Sequence, residues 1–275
     1  MSRKPEKILV SCALIFTVLL VLIPFYWMLN TSLKSEVEAL RVPPTLSPQE
    51  FSPQNYTSVL ELAPFLKYFM NTLTVAFFVV MISTTLSVLA AFAFARLSFR
   101  GKGILFFIVL ATMMIPQEML IITNFMTIAK LGWLNTLKAL IVPFCVNAFN
   151  IYLLRQSMLQ IPDELYIAAR IDGLGNLKYL LKVVIPQTRA SILTVMILSL
   201  IWIWNTYAWP NLVTTQDSLR LISNGLKNAF TTSTGNIRFE LQMAAATMVT
   251  VPLIILFICL RKYILSGIQR GGVKG

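Results

Sequence analysis

Few side chains in this sequence could do bond-making chemistry. There is no His, which removes the usual general base, the usual zinc ligand and every Ser-His-Asp or Cys-His arrangement. Cys12, Cys145 and Cys259 sit singly inside apolar runs, so neither a disulfide framework nor a zinc site is indicated. No G-x-x-x-x-G-K-[ST] string occurs, and the nearest match, Gly101-Lys102-Gly103, does not fit a phosphate loop. The expectation is a chain with no catalytic residue, no metal and no cofactor of its own.

One stretch, 155–189, combines acids, small residues and glycine in a pattern. Pro162 suits a first helical position, and Asp163 and Glu164 suit a helix N-terminus. Leu165, Ala168 and Ala169 stand at i, i+3 and i+4, so they are expected on one face, where the alanines allow close approach. Asp172-Gly173 is expected to end that helix, with Gly173 taking positive φ. A second short helix is expected over about 176–184, with Pro186 opening the next apolar run. Two short helices meeting at a glycine make a projecting knob for a partner's groove. On these residues alone, an amphipathic loop lying on a membrane surface remains open as well.

The other candidates are polar residues set in apolar runs: Asn71, Thr72, Thr74, Glu118, Asn124, Asn147, Asn150, Asn205 and Tyr207. At membrane depth such groups face the interior of a bundle or a cavity. They either line a substrate path or bond one helix to another, which is worth roughly 0.6–2 kcal/mol each. Asn and aromatic side chains suit sugar hydroxyls and sugar faces. Trp27, Trp133 and Trp209 lie near run ends and read as interfacial anchors.

The elements that must position these groups are membrane helices. Hydrophobic residues make up 57% of the chain and charged residues 12%, with mean hydropathy +0.74, where soluble domains carry about 25% charge. Apolar runs give an all-α membrane protein with six transmembrane helices, at about 8–29, 69–95, 104–127, 139–154, 190–210 and 241–262. The first is read as a retained span rather than a signal peptide, because it is long and no small-residue cleavage site follows. Pro116 interrupts the third run and Pro143 the fourth. The net charge of +12 reads as topology rather than nucleic-acid binding: the N-terminus, 96–102, 155–189 and the tail hold 15 Lys and Arg, against 8 in the remaining loops. The positive-inside rule places both termini and 155–189 in the cytoplasm, with external loops at 30–68 and 211–240. The whole of 1–275 is then a single transmembrane domain, too short to include an ATPase as well.

Ala168-Ala169-x-x-Asp172-Gly173, followed after nine residues by Val183-x-Ile185-Pro186, resembles the EAA loop of ABC importer permeases. The resemblance extends to Asn71-Thr72, Trp204-Asn205, Trp209-Pro210, Ala244-Ala245 and Pro252. The ending Ser266-Gly267 … Gly271-Gly272-Val273-Lys274-Gly275 is similar to that of the maltose-type carbohydrate subfamily, second permease of the pair.

The resemblance implies a type I ABC importer permease fold in a bacterial or archaeal cell membrane. It implies a heterodimer with a second permease subunit and two cytoplasmic ATP-binding subunits that hold the ATP and Mg. It further implies an extracytoplasmic solute-binding protein that delivers a sugar. Asp163, Glu164, Tyr166, Ala168, Ala169, Arg170, Asp172, Gly173, Ile185 and Pro186 would then form the coupling helix and its flank. Gly271, Gly272 and Lys274 would reach the ATPases. The family's leading Glu is Ile167 here, so the usual polar contact is missing; Asp163 and Glu164 one turn upstream, or Arg170 and Asp172, are the candidates to replace it. Glycerol phosphate is the alternative cargo, for which Arg220, Lys227 and Arg238 in the outer loop would supply charge. An ion-coupled secondary transporter would need an embedded ionisable relay, for which Glu118 is the lone candidate. An intramembrane enzyme lacks a catalytic constellation.

Overall fold

The computed structural model describes residues 4–230 and 237–271. Among them the regular elements are helical. In chain order they are α1 (Lys4–Ser32), α2 (Glu36–Ala39), α3 (Gln54–Leu62), α4 (Phe65–Arg96) and α5 (Lys102–Thr112). Next come α6 (Ile121–Lys130), α7 (Leu137–Ile141), α8 (Ala148–Leu159), α9 (Asp163–Ile171) and α10 (Asn176–Tyr179). Last are α11 (Ile185–Asn205), α12 (Ala208–Val213), α13 (Ile222–Ala229) and α14 (Phe239–Gly271).

Three helical rods are long and apolar enough to cross a membrane: Leu9–Ser32, Phe65–Arg96 and the continuous rod Asn176–Asn205. Two more stretches qualify only as bent pairs. Lys102–Thr112 meets Gln117–Lys130 at 84°, and Leu137–Phe144 meets Ala148–Leu159 at 41°. The runs expected at 104–127 and 139–154 fall on these two pairs, and the run at 241–262 falls on α14. The first bend sits at Pro116, which has extended backbone and denies the next helix its upstream continuation. The second does not sit at Pro143, which is absorbed in a 3-10 turn over Val142–Phe144; the chain turns at Asn147.

The chain divides into two compact units. One takes in Met1–Leu66 and Gly225–Leu256. Here the side chains of α1 from Leu9 to Leu22 are exposed, as suits a helix solvated by lipid. The loop after it is tied down by side-chain hydrogen bonds. The buried Glu38 carboxylate accepts from the Thr45 hydroxyl at 2.5 Å and from the Gln49 and Glu50 amides at 3.0 and 3.4 Å. Lys34 Nζ donates to the Thr45 carbonyl at 2.6 Å and sits 5.0 Å from the Trp27 ring centre. Asn55 ties α3 to the end of α1 through the Ser32 and Lys34 carbonyls.

The other unit takes in Lys67–Asn224 and Phe257–Gly275. Its backbone is α4, whose buried stripe from Thr72 to Phe92 recurs every three or four residues and is built of Thr, Ser, Val and Ala. Phe77, Phe78, Met81, Ile82 and Leu86 cover the opposite, exposed face. Small residues inward and bulky apolar residues outward is the pattern of membrane helices, where close backbone approach replaces hydrophobic expulsion from water. Two apolar clusters form along α4. One gathers Val88, Ala91 and Phe92 with Leu154, Met158 and Tyr179; the other gathers Val75, Ala76 and Val79 with Leu140, Ile203 and Trp209.

Candidate coupling surface and translocation cavity

The coupling segment is a helix stapled at both ends. Pro162, with ψ near 141°, directs the chain into α9, and Asp163 and Glu164 fill the first turn. At the other end Gly173 takes φ of 74°, its amide bonds to the Arg170 carbonyl, and the Leu174 amide bonds to the Ala169 carbonyl. This is the paired-bond ending that a left-handed glycine permits.

The structure corrects two local expectations. Leu165, Ala168 and Ala169 do not share a face: Ala169 is buried with Tyr166 and Leu174 in the cluster around Tyr179, while Leu165 and Ala168 are exposed. The buried partner is Tyr179, whose ring meets Tyr166 edge-on at 5.0 Å and Phe92 at 6.2 Å in the cluster that takes in Ala169. Tyr166 Oη also donates to Asn176 Oδ1 at 3.2 Å. The second correction is that 176–184 is not a separate short helix. A π turn over Leu180–Val184 joins α10 to α11. Pro186, which has no N–H to bond back to Lys182, is tolerated because the wider turn re-registers the ladder. Ile185 packs partly against the same cluster, and Pro186 is exposed.

Outward from α9 stand Glu164, Ile167, Ala168 and Ile171, at helical spacing, with Ile167 57% and Ile171 80% exposed. Arg170 and Asp172 flank them, exposed. The departure Ile167 thus makes this face more apolar than the family pattern.

Sequence reasoning missed the residue that fixes α9 in place. Arg96 ends α4 with its side chain 5% exposed and pairs with Asp163, whose side chain is 85% exposed. Its other nitrogen donates to the Met158 carbonyl at 2.7 Å and to the Ile161 carbonyl. One guanidinium therefore satisfies the end of α8 and the start of α9 together. Arg96 had registered only as a charge closing an apolar run. Asp163 is engaged within the chain, so among the described residues Glu164 is the acid of the first turn without an ion pair.

The polar residues of the spans separate into two groups. Asn71 Nδ2 donates to the Ser218 and Arg220 carbonyls at 2.9 and 3.0 Å, and Thr72 Oγ1 accepts from the Ile222 amide at 2.9 Å. Asn205 Nδ2 donates to the Ile201 carbonyl at 2.8 Å, and Thr74 bonds to Met70 on its own helix. Glu118 and Asn124 are exposed on the second limb of the first bent pair, and Tyr207 is half-buried ahead of α12. None of these lines the cavity of about 210 Å³ found in this unit. Asn147 and Asn150 do. They are joined by Ser83, Gln117 and Ser199 and by the rings of Phe144, Phe149 and Trp202. The sequence held one signal for the newcomers: Ser199 and Trp202 stand three apart on α11, as Val79 and Ser83 stand four apart on α4. Of the tail residues, Gly271 ends α14, while Gly272 and Lys274 lie outside the described residues.

Residues 83–270 match the family described as binding-protein-dependent transport system inner membrane component. The chain is 31% identical over 274 residues to the trehalose/maltose transport system permease protein of Thermococcus litoralis, covering 98% of each. It is 27% identical over 273 residues to the sn-glycerol-3-phosphate transport system permease protein of Yersinia enterocolitica, covering 97% of each. Its fold superposes on a subunit of a bacterial ABC transporter involved in the import of the acidic polysaccharide alginate. That match has a TM-score of 0.82 and 25% identity, covering 96% of this chain and 98% of the other. A chain whose described elements are helices, with a short helix stapled at both ends, matched along nearly its full length, thus belongs to the binding-protein-dependent inner membrane components, the non-catalytic permease subunits of ABC importers.

Proposed function

We propose that this subunit forms half of a carbohydrate pathway across the cell membrane and is driven through α9 by separate ATP-binding subunits. It works with a solute-binding protein, as its family does. In this reading the chain spans the membrane six times with both termini in the cytoplasm. It pairs with a second permease subunit, and two ATP-binding subunits hold the ATP and Mg. The single observation that carries the coupling role is the outward face of α9. Ile167, Ala168 and Ile171 present an apolar stripe with Glu164 beside it, held rigidly by Arg96 below and Tyr179 behind. An exposed apolar helix face of this kind fits a partner's groove. Because α9 is clamped to α4 and α8, a pull on it moves those helices as a body. That suits a switch between two discrete packings.

Of the three outer-loop cations put forward for a phosphorylated cargo, two are engaged in ion pairs. Arg220 is paired with Asp217 at 2.8 Å, and Arg238 with Glu240 at 2.9 Å. The side chain of Lys227 lies outside the described ones. This weighs toward sugar over glycerol phosphate.

The test is ATP hydrolysis by the complete assembly in lipid nanodiscs, with and without sugar-loaded binding protein. Ile171→Asp is the informative variant, since Ile171 faces solvent and its loss leaves the cluster intact. Stimulated hydrolysis should fall at least tenfold. If Ile171→Asp couples as well as the parent, α9 is not the contact.

A further inference from the structure

The geometry points to a glycosyl-ring subsite in this subunit itself, in the cavity between its two broken spans, that takes neutral sugars and excludes phosphorylated or uronic ones. The inference rests on the carbohydrate reading and narrows it.

Both bends open on this cavity. Gln117 comes from the first bent pair, and Phe144 and Asn147 flank the turn of the second; α4 and α11 close the walls through Ser83 and Ser199. Irregular backbone at membrane depth is tolerated where it is buried in protein or lines a wet cavity. Broken helices are where transported solutes are held in other membrane folds. Two breaks meeting at one cavity is therefore a feature that packing alone does not require.

The lining chemistry is that of a sugar site. Asn150 and Ser83 are 2% and 1% exposed, so polar groups have been set deep at a cost that only a partner offsets. Asn150 Nδ2 donates to Ser199 Oγ at 3.0 Å, and Asn147 Oδ1 accepts from the Asn150 amide at 3.1 Å. Among the described residues this leaves Asn147 Nδ2 without an acceptor and Asn150 Oδ1 without a donor. A free donor beside a free acceptor reads hydroxyl groups, which do both. Trp202 and Phe144, also in the lining, meet edge-on at 4.7 Å and add aromatic surface for the C–H side of a ring. The cavity of about 210 Å³ has room for a small polar solute.

Charge decides the class. None of the lining residues is ionisable. A phosphate or carboxylate entering here would lose its water with no cation to replace it. At the α8 N-terminus the Asn147 side chain already takes up the Asn150 amide.

The experiment measures sugar uptake per ATP hydrolysed in proteoliposomes containing the complete assembly and its binding protein. The panel is neutral mono- and disaccharides, with glycerol 3-phosphate and galacturonate as anionic arms. Trp202→Ala removes the ring face, and Trp202→Phe keeps it. Asn147→Asp keeps the cap on α8 and removes the free donor. Co-purification of the ATPase checks assembly of each variant. The proposal expects neutral cargo only. It also expects Trp202→Ala and Asn147→Asp to lose at least tenfold in uptake per ATP, and Trp202→Phe to retain most of it. Variants that transport like the parent overturn the subsite, and make the cavity a packing gap or a seat for the second permease. A parent that imports an anionic arm overturns the neutral class. A parent unresponsive to every sugar overturns the carbohydrate reading itself, and differs from the first failure because no variant is needed to see it.

Discussion

Arg96 and Asp163 form one ion pair with two unequal ends. Asp163 is largely exposed, and an exposed pair contributes about 0–1 kcal/mol. Arg96 is buried and also serves two carbonyls, where bonds to a charged group contribute about 1.5–3 kcal/mol each. Asp163→Asn should therefore lower the unfolding temperature little, whereas Arg96→Gln should lower it by several degrees and uncouple α9. Thermal unfolding of the two variants in one detergent checks this; equal losses would mean the salt bridge, not the carbonyl contacts, holds α9. Glu38 gives a prediction in pH. Burial pushes its carboxyl up. The Thr45 hydroxyl, the Gln49 and Glu50 amides and Lys34 together outweigh that, and hold it below its ordinary value of 4.5. A carboxyl lowered on folding stabilises the loop above its unfolded value, and the benefit is lost as pH falls through the folded one. Protection of the Gln49 and Glu50 amides from hydrogen exchange should thus fall away below about pH 4.5. Glu38→Gln should remove that step, and a pH-independent parent would contradict the assignment.

Among the elements, α9 was legible because its start and stop are local. Pro162, Asp163, Glu164 and Gly173 act on their own backbone; the structure places the acids and the glycine where the spacing predicts, and Pro162 one residue earlier, as the cap rather than the first helical residue. What a residue faces is not local: Ala168 and Ala169 are identical in type, and only Tyr179, ten places further on, decides which one is buried. The continuity of Asn176–Asn205 was hidden for a related reason, since Pro186 signals a helix start and a π turn has no signature of its own. Ser83, Ser199 and Trp202 had only their helical spacing to mark them as cavity residues, because each sits in an apolar run whose partner lies on another helix. Gly173 separates strain from crowding. A Cβ there would meet nothing within 4 Å, so the cost of Gly173→Ala is its φ of 74° alone, about 1–2 kcal/mol. A modest loss of stability with coupling retained is expected, read by unfolding temperature and stimulated ATPase. Abolished coupling in a folded Gly173→Ala assembly would mean the glycine itself meets the partner.

At the scale of the whole molecule, the crossing number turns on the 84° bend at Pro116. α5 has 11 residues, about 16 Å of helix, and cannot cross a core of roughly 30 Å alone. Either Lys102–Thr112 and Gln117–Lys130 cross together, or the pair re-enters on the side it left. Loop charge favours crossing. Re-entry would keep Lys130 and Lys138 on the side of Arg96, Arg100 and Lys102, and would then carry the basic segment 155–189 to the opposite face after the next crossing. That would erase the excess of 15 against 8 that orients the other loops. Reporter fusions test it directly, using a phosphatase active only outside and a fluorescent protein that folds only inside. Fusions after residues 48 and 135 should give phosphatase activity, and fusions after residues 175 and 275 should fluoresce. Fluorescence at 135 with phosphatase activity at 175 would show the bent pair re-entering. Phosphatase activity at 275 alone among the inner sites would show α14 failing to cross. The placement of α9 beside a cytoplasmic ATPase stands only if residue 175 is inside.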